Sequence, residues 1–156
     1  MKAKRVEDSK TEQTYLLMHR HINGYGRLFG GQLMQWIDEL AGIVATRHSE
    51  ARITTASVDN LNFKSGAYLN DTIVLIGRIT YVGKTSMEVR VDTYIEELNG
   101  IRRVINRAYV VMVAIDEKGN AIPVPELIIK TEGQKAEWEA GKKRYELRKQ
   151  RRIEGY

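Results

Sequence analysis

The tightest constraint in this sequence lies between Arg20 and Glu39, where a polar loop carrying Gly24, Gly26, Gly30 and Gly31 runs directly into an apolar helix. Leu33, Met34, Ile37, Leu40, Ala41, Val44 and Ala45 recur at helical spacing. Trp36 and Ile43 widen that face almost to the full circumference. A helix hydrophobic nearly all round is a buried one. The spacing predicts it from near Gly30 to near Arg47 and His48, two bases that suit its negative C-terminal end. The rest of the chain must therefore supply a surface that covers this helix.

Beyond the helix the period changes to two. Ile53 to Phe63 reads as one strand, and Thr72 to Val82 as a second with Gly77 as a bulge. After a break at Gly83-Lys84, Ser86 to Glu96 alternates cleanly. Met87, Val89, Val91, Thr93 and Ile95 share one face; Glu88, Arg90, Asp92, Tyr94 and Glu96 share the other, as in a half-exposed antiparallel strand. Asn99-Gly100 is a two-residue hairpin signal, and Arg103 to Ile115 reads as the last long strand. Asp116 to Asn120 is a turn, and Pro123 and Pro125 end the sheet. Before the loop, Thr14 to Met18 reads as an edge strand. Residues 1–10 read as a flexible arm, 11–130 as a single domain, and 131–156 as a basic, polar C-terminal helix and tail.

One helix and a long antiparallel meander give an α+β chain whose sheet must cover its apolar face. A sheet curled around a single central helix is the hotdog architecture. An open strand edge in such a sheet favours dimerisation by sheet continuation.

A length of 156 residues suits one domain. The absence of cysteine excludes disulfides, thiolate metal sites and a cysteine nucleophile. The charged N-terminus does not read as a signal peptide, and there is no run of about 18 apolar residues to span a membrane. The expected location is cytoplasmic. The net charge of +5 suits an anionic partner, although much of it sits in Lys142-Lys143-Arg144 and Arg148 to Arg152, which read as a solvated helix face.

Asn23, Gly26, Phe29-Gly30-Gly31 and Asp38, with Phe63, Asp71, Val82-Gly83-Lys84-Thr85-Ser86 and Pro125, resemble the signature of hotdog-fold acyl-CoA thioesterases, the YciA-like and brain-type acyl-CoA hydrolase branch. The resemblance covers roughly residues 14–126. It implies hydrolysis of an acyl-CoA thioester to a free carboxylic acid and CoA, with no metal and no cofactor. It also implies a cleft between two subunits, in a homodimer at least and usually a hexamer built from three dimers. The sequence departs from the pattern at His21, where family members commonly carry a catalytic aspartate.

Thioester hydrolysis needs a polarised carbonyl, an activated water and a grip on CoA. Backbone N–H groups of Gly30 and Gly31, at a helix start, suit the carbonyl. Asp38, about two turns along, is the expected base or nucleophile; Glu39 replaces it if the helix phase turns the other way. The resemblance favours Asp38. Asn23 can donate to an oxyanion or orient water, and His21 can act as base or acid. Gly83, Lys84, Thr85 and Ser86 suit the CoA pyrophosphate, with Lys64 and Arg103 as weaker phosphate partners. The rival readings are a non-catalytic acyl-CoA-binding hotdog module, a nucleic-acid binder acting through the basic tail, and a hotdog dehydratase, whose usual Asp-x-x-x-x-His signature is missing. His19, His21 and His48 have no metal-site spacing.

Overall fold

A computed structural model describes all of residues 1–156. Its centre is helix α2, Gly30–Ser49, which begins and ends where the apolar spacing predicts. Leu33, Trp36, Ile37, Leu40, Ala41, Val44 and Ala45 are buried. The helix ends because Glu50 turns into the left-handed region at φ 55° and donates back to the Thr46 carbonyl. It is not buried all round. Gly31, Met34, Gln35 and Asp38, at helical spacing, form a stripe open to solvent or a cleft.

The strands are β1 (Lys4–Arg5), β2 (Thr11–Leu16), β3 (Arg52–Asp59), β4 (Thr72–Val82), β5 (Ser86–Glu96), β6 (Arg102–Ile115) and β7 (Leu127–Ile128). Five of them form one antiparallel sheet in the order β2-β4-β5-β6-β3, curled around α2. β4 and β5 run over the predicted residues. β2 is the expected edge strand, begun earlier at Thr11. β3 is the other edge, with Thr54, Thr55, Ala56 and Val58 exposed.

Three expectations are corrected. Gly77 is not a bulge: it pairs in register with Val91 and Thr11, and the slip lies between Ile79 and Tyr81. Glycine is needed at 77 because a Cβ there would stand 3.1 Å from Val44 and 3.3 Å from Leu40. β3 ends at Asp59 rather than Phe63, because Asn60 turns left-handed at φ 63°. The Asn99-Gly100 turn is a longer connection than two residues: Glu97 and Ile101 still bond to each other, and Gly100 takes φ 87°.

The N-terminal arm, read as flexible, is ordered, and the C-terminal segment is the helix that the sequence predicts. β1 pairs parallel with β7, and the single turn α1, Val6–Ser9, buries Val6 and Ser9. Lys4 Nζ donates to the Arg47 carbonyl, holding this segment to the end of α2. Beside it His48 is fully buried, with Nε2 2.8 Å from the Pro125 carbonyl and Nδ1 without a partner. Burial holds its pKa below the usual 6.5, against the opposing pull of the Pro125 carbonyl; Lys4 lowers it and Asp8 raises it. A folded-state pKa below the unfolded one means that the unfolded chain binds the proton first. The stability is therefore full above pH 6.5 and is lost as the pH falls through the folded value. Thermal midpoints measured between about pH 7.5 and 5 should fall, and His48→Gln should flatten the slope.

α3, Glu132–Glu154, starts at an N-cap, with Thr131 Oγ1 accepting from the Gln134 N–H at 3.0 Å. It lies on the outer face of the sheet. Trp138 and Tyr145 both meet Tyr81, at ring distances of 4.5 and 5.4 Å. The face of β5 read as half-exposed is therefore covered: Glu88 and Asp92 are each 1% exposed. Arg144 and Arg148, read as part of a solvated helix face, bond to Glu88.

Candidate active site

The loop before α2 is built by Asn23. Its Oδ1 accepts from the Tyr25 N–H at 2.9 Å and the Arg27 N–H at 3.2 Å, and its backbone N–H donates to the Arg27 carbonyl. Those two backbone donors fix the amide orientation, so Nδ2 is left to donate elsewhere. Phe29 then closes the loop by donating its N–H to the His21 carbonyl.

At the start of α2 the first helical N–H groups with acceptors are those of Gln32 and Leu33, both bonding to the Phe29 carbonyl. The N–H groups of Gly30 and Gly31 have none, and no side chain caps this end. This is the unpaired, positively polarised end that a helix offers to an oxyanion. A Cβ on Gly31 would stand 2.7 Å from the Phe29 ring, and one on Gly30 would stand 3.4 Å from the Phe63 ring.

Two clefts flank these glycines. The first, about 340 Å³, brings together Gly30, Asn23, Arg27, Phe63, Lys64 and Ile105. Its mouth is cationic and its floor, with Leu28, Leu33 and Ala67, is apolar. The second, about 360 Å³, brings together Gly31, Met34, Asp38, Thr55 and Val58. Here Thr55 Oγ1 donates to Asp38 Oδ1 at 2.7 Å. Glu39 lies on another side of the helix, close enough to Tyr15 to raise its pKa beside the larger effect of burial. The helix phase thus puts Asp38, not Glu39, in the cleft.

The other predicted residues are not gathered here. His21 is 7% exposed and lines neither cleft. Its Nδ1 accepts from the Met18 N–H at 3.0 Å, and its ring packs edge-on against Trp36, itself stacked on Tyr15. Burial first, then Arg20, lowers its pKa. Within one chain His21 closes its own turn and is not brought to Gly30, Gly31 or Asp38. Gly83 and Lys84 line a separate cleft with Pro123, Val124 and Pro125. The Lys84 and Thr85 carbonyls are taken by Val124 and Ala114, and a Cβ on Gly83 would meet Ser86 Oγ at 2.8 Å. Within one chain this turn, Gly83 to Ser86, does not meet Gly30 or Asp38. Lys64 does line the first cleft, while Arg103 bonds to Ser65 Oγ beside it. Thr55, the partner of Asp38, is the residue that sequence reasoning missed; a hydroxyl on an exposed edge strand carries no separate signal.

The thioesterase superfamily model matches residues 25–101. The uncharacterized acyl-CoA thioester hydrolase YkhA of Bacillus subtilis is 35% identical over 127 residues, 81% of this chain and 74% of that protein. The cytosolic acyl coenzyme A thioester hydrolase of Homo sapiens is 36% identical over 90% of this chain, which spans only 38% of that longer protein. Among solved structures, the acyl-CoA hydrolase from Staphylococcus aureus, in complex with butyryl coenzyme A and coenzyme A, superposes with a TM-score of 0.92 at 31% identity, covering 97% of this chain and 93% of that one. A hexameric acyl-CoA thioesterase superposes at 0.91 with 38% identity, covering 97% of both. The Staphylococcus enzyme has also been solved with alanine replacing an asparagine, an aspartate fifteen residues further on, and a threonine seventeen beyond that. Asn23, Asp38 and Thr55 stand at the same two spacings here. In sequence, in fold and in the make-up of its helix start, this chain belongs to the acyl-CoA thioester hydrolase family of the hotdog-fold thioesterase superfamily.

Proposed function

We propose that this protein is an acyl-CoA thioesterase. Water adds to the thioester carbonyl, the carbon–sulfur bond breaks, and a free carboxylic acid and CoA leave. The observation that carries the reading is the pair of unpartnered N–H groups at Gly30 and Gly31, with a cleft on either side. They hold the oxygen as it gains charge. Asp38, oriented by Thr55, takes the proton from the attacking water. Asn23 Nδ2 is the second donor to the carbonyl or the water. Arg27 and Lys64, at the mouth of the first cleft, take CoA phosphate.

In one chain Asn23 and Asp38 open into different clefts. The reading therefore includes a homodimer in which the loop around Asn23 of one protomer meets the helix around Asp38 of its partner. The exposed β3 edge and the Met34, Val58 and Phe63 side chains beside it suit that contact. A hexamer of three such dimers fits the assembly of the hexameric relative. No helix is long and apolar enough to cross a membrane, and the reading places the enzyme in the cytoplasm.

The test is release of free thiol from short-chain, long-chain and aromatic acyl-CoAs, with mass measured in solution. Turnover of at least one class by an oligomer is expected. Binding of CoA without release would make the protein a binding module, and full activity in a monomer would sink the shared cleft.

A further inference from the structure

Thioester hydrolysis by these groups leaves an irregularity in β6 unexplained. Between the pairs Thr93–Asn106 and Tyr94–Val104 the register with β5 slips, so Ile105 is an extra residue. A bulge of this kind breaks the alternation of side chains and re-aims them. Here two successive residues turn inward: Ile105 is 2% and Asn106 0% exposed.

Both hold the connection between β3 and β4. Asn106 Nδ2 donates to the Asn62 carbonyl at 2.6 Å, and the Lys64 N–H donates to the Ile105 carbonyl at 3.1 Å. The two bonds straddle Phe63. Arg103, further along the same strand, adds a bond to Ser65 Oγ at 3.1 Å. Residues 60–66 have no strand partner of their own, so these three ties to β6 place them. What they place is the wall of the first cleft: Phe63, Lys64 and Ser65 line it, as does Ile105.

A second observation sets Asn106 apart from a packing residue. Its Oδ1 has no partner, and neither does Oγ1 of Thr93, paired with it across the strands. A buried polar atom left unpaired is costly, and an apolar side chain at 106 would avoid that cost. An asparagine there is explained by its other half, the Nδ2 that reaches the loop.

We propose that Asn106 is a positioning residue for substrate binding. From the bulge it fixes the 60–66 loop so that Phe63 and Lys64 stand at the mouth of the cleft. What the cleft binds rests on the thioesterase reading; the clamp itself does not.

Asn106→Ala removes the donor. KM for acyl-CoA should rise about tenfold, with kcat held within about twofold, because Asp38 is oriented by Thr55 of β3 and the Gly30 and Gly31 N–H groups by the backbone of α2, not by the donor that Asn106 supplies. Thr93→Val removes the neighbouring buried hydroxyl without touching the loop, and should leave both constants unchanged. A fall in kcat at constant KM, or an equal rise in KM in both variants, overturns the proposal. Amide hydrogen exchange in the wild-type protein tests the clamp without any variant. The Lys64 amide should exchange about tenfold more slowly than those of Phe63 and Ser65, which have no acceptor. Equal exchange at all three overturns the clamp. A protected Lys64 in a protein that hydrolyses no acyl-CoA sinks the thioesterase reading alone.

Discussion

Asp38→Ala is expected to cut the rate of thiol release by about 10³-fold, with KM for acyl-CoA changed by no more than about threefold. The residue sits on the open stripe of α2, where replacing it leaves the buried face of the helix intact. Its carboxylate holds no structural bond other than the one from Thr55 Oγ1. Removing it therefore deletes the base and little else. Thr55→Ala should cost less, about tenfold, because it frees the carboxylate to rotate without removing it. Thr55→Ser restores the hydroxyl and should recover most of that loss. The measurement is steady-state thiol release, with the oligomer checked in each variant. Turnover like that of the wild type in Asp38→Ala would remove the base from this position. Glu39 does not then inherit the role easily, since it stands beside Tyr15 rather than in the cleft.

How far the sequence could be read depended on which face a residue presented and on what covered that face. The span of α2 and the bounds of β4 and β5 follow from periodicity alone, because an unbroken run of 3.6 or 2 leaves one answer. The helix start at Phe29-Gly30-Gly31 was legible for the same reason, because the apolar run begins directly after the glycine pair. Periodicity does not show what lies against a face. Glu88 and Asp92 alternate outward from the core, so they read as solvated, yet α3 covers them. His21 shows the same limit in the loop. A histidine among polar residues looks available for chemistry, and only the three-dimensional contact with Trp36 and the Met18 N–H shows that it is committed. The left-handed Asn60 was a local signal within reach, since Asp-Asn pairs favour turns. Read as strand, it hid the loop that carries Lys64.

Glu88→Ala should lower the free energy of unfolding by about 3–5 kcal/mol, the cost of breaking a buried ion cluster from one side. The Glu88 carboxylate accepts from Arg144 Nε at 3.0 Å and Nη2 at 2.8 Å, from Arg148 Nη1 at 3.1 Å and from Thr80 Oγ1 at 2.7 Å. It is one of two charged points that fasten α3 to the sheet. The arginine side chains are 22% and 11% exposed, so removing the acid leaves two guanidinium groups short of a counter-charge beneath a helix. Arg148 keeps a longer contact with Asp59 at 3.3 Å, and Arg144 keeps its stacking over the Tyr109 ring at 3.7 Å. Those remnants hold the loss toward the lower end of the range. A second cluster, in which Glu137 of α3 meets Arg78 and Arg90 around the buried Asp92, is untouched and keeps the first half of the helix docked. The expected result is fraying of α3 beyond Gly141, where a Cβ would stand 2.7 Å from Tyr81, so close is the helix to the sheet. Urea unfolding gives the size of the loss, and amide exchange along 142–154 gives its place. Because Glu88 faces away from α2, the folded fraction should keep its kcat. A loss below about 1 kcal/mol, the scale of a surface ion pair, would mean that the stack of Tyr81 on Trp138 and Tyr145 holds α3 without the charges.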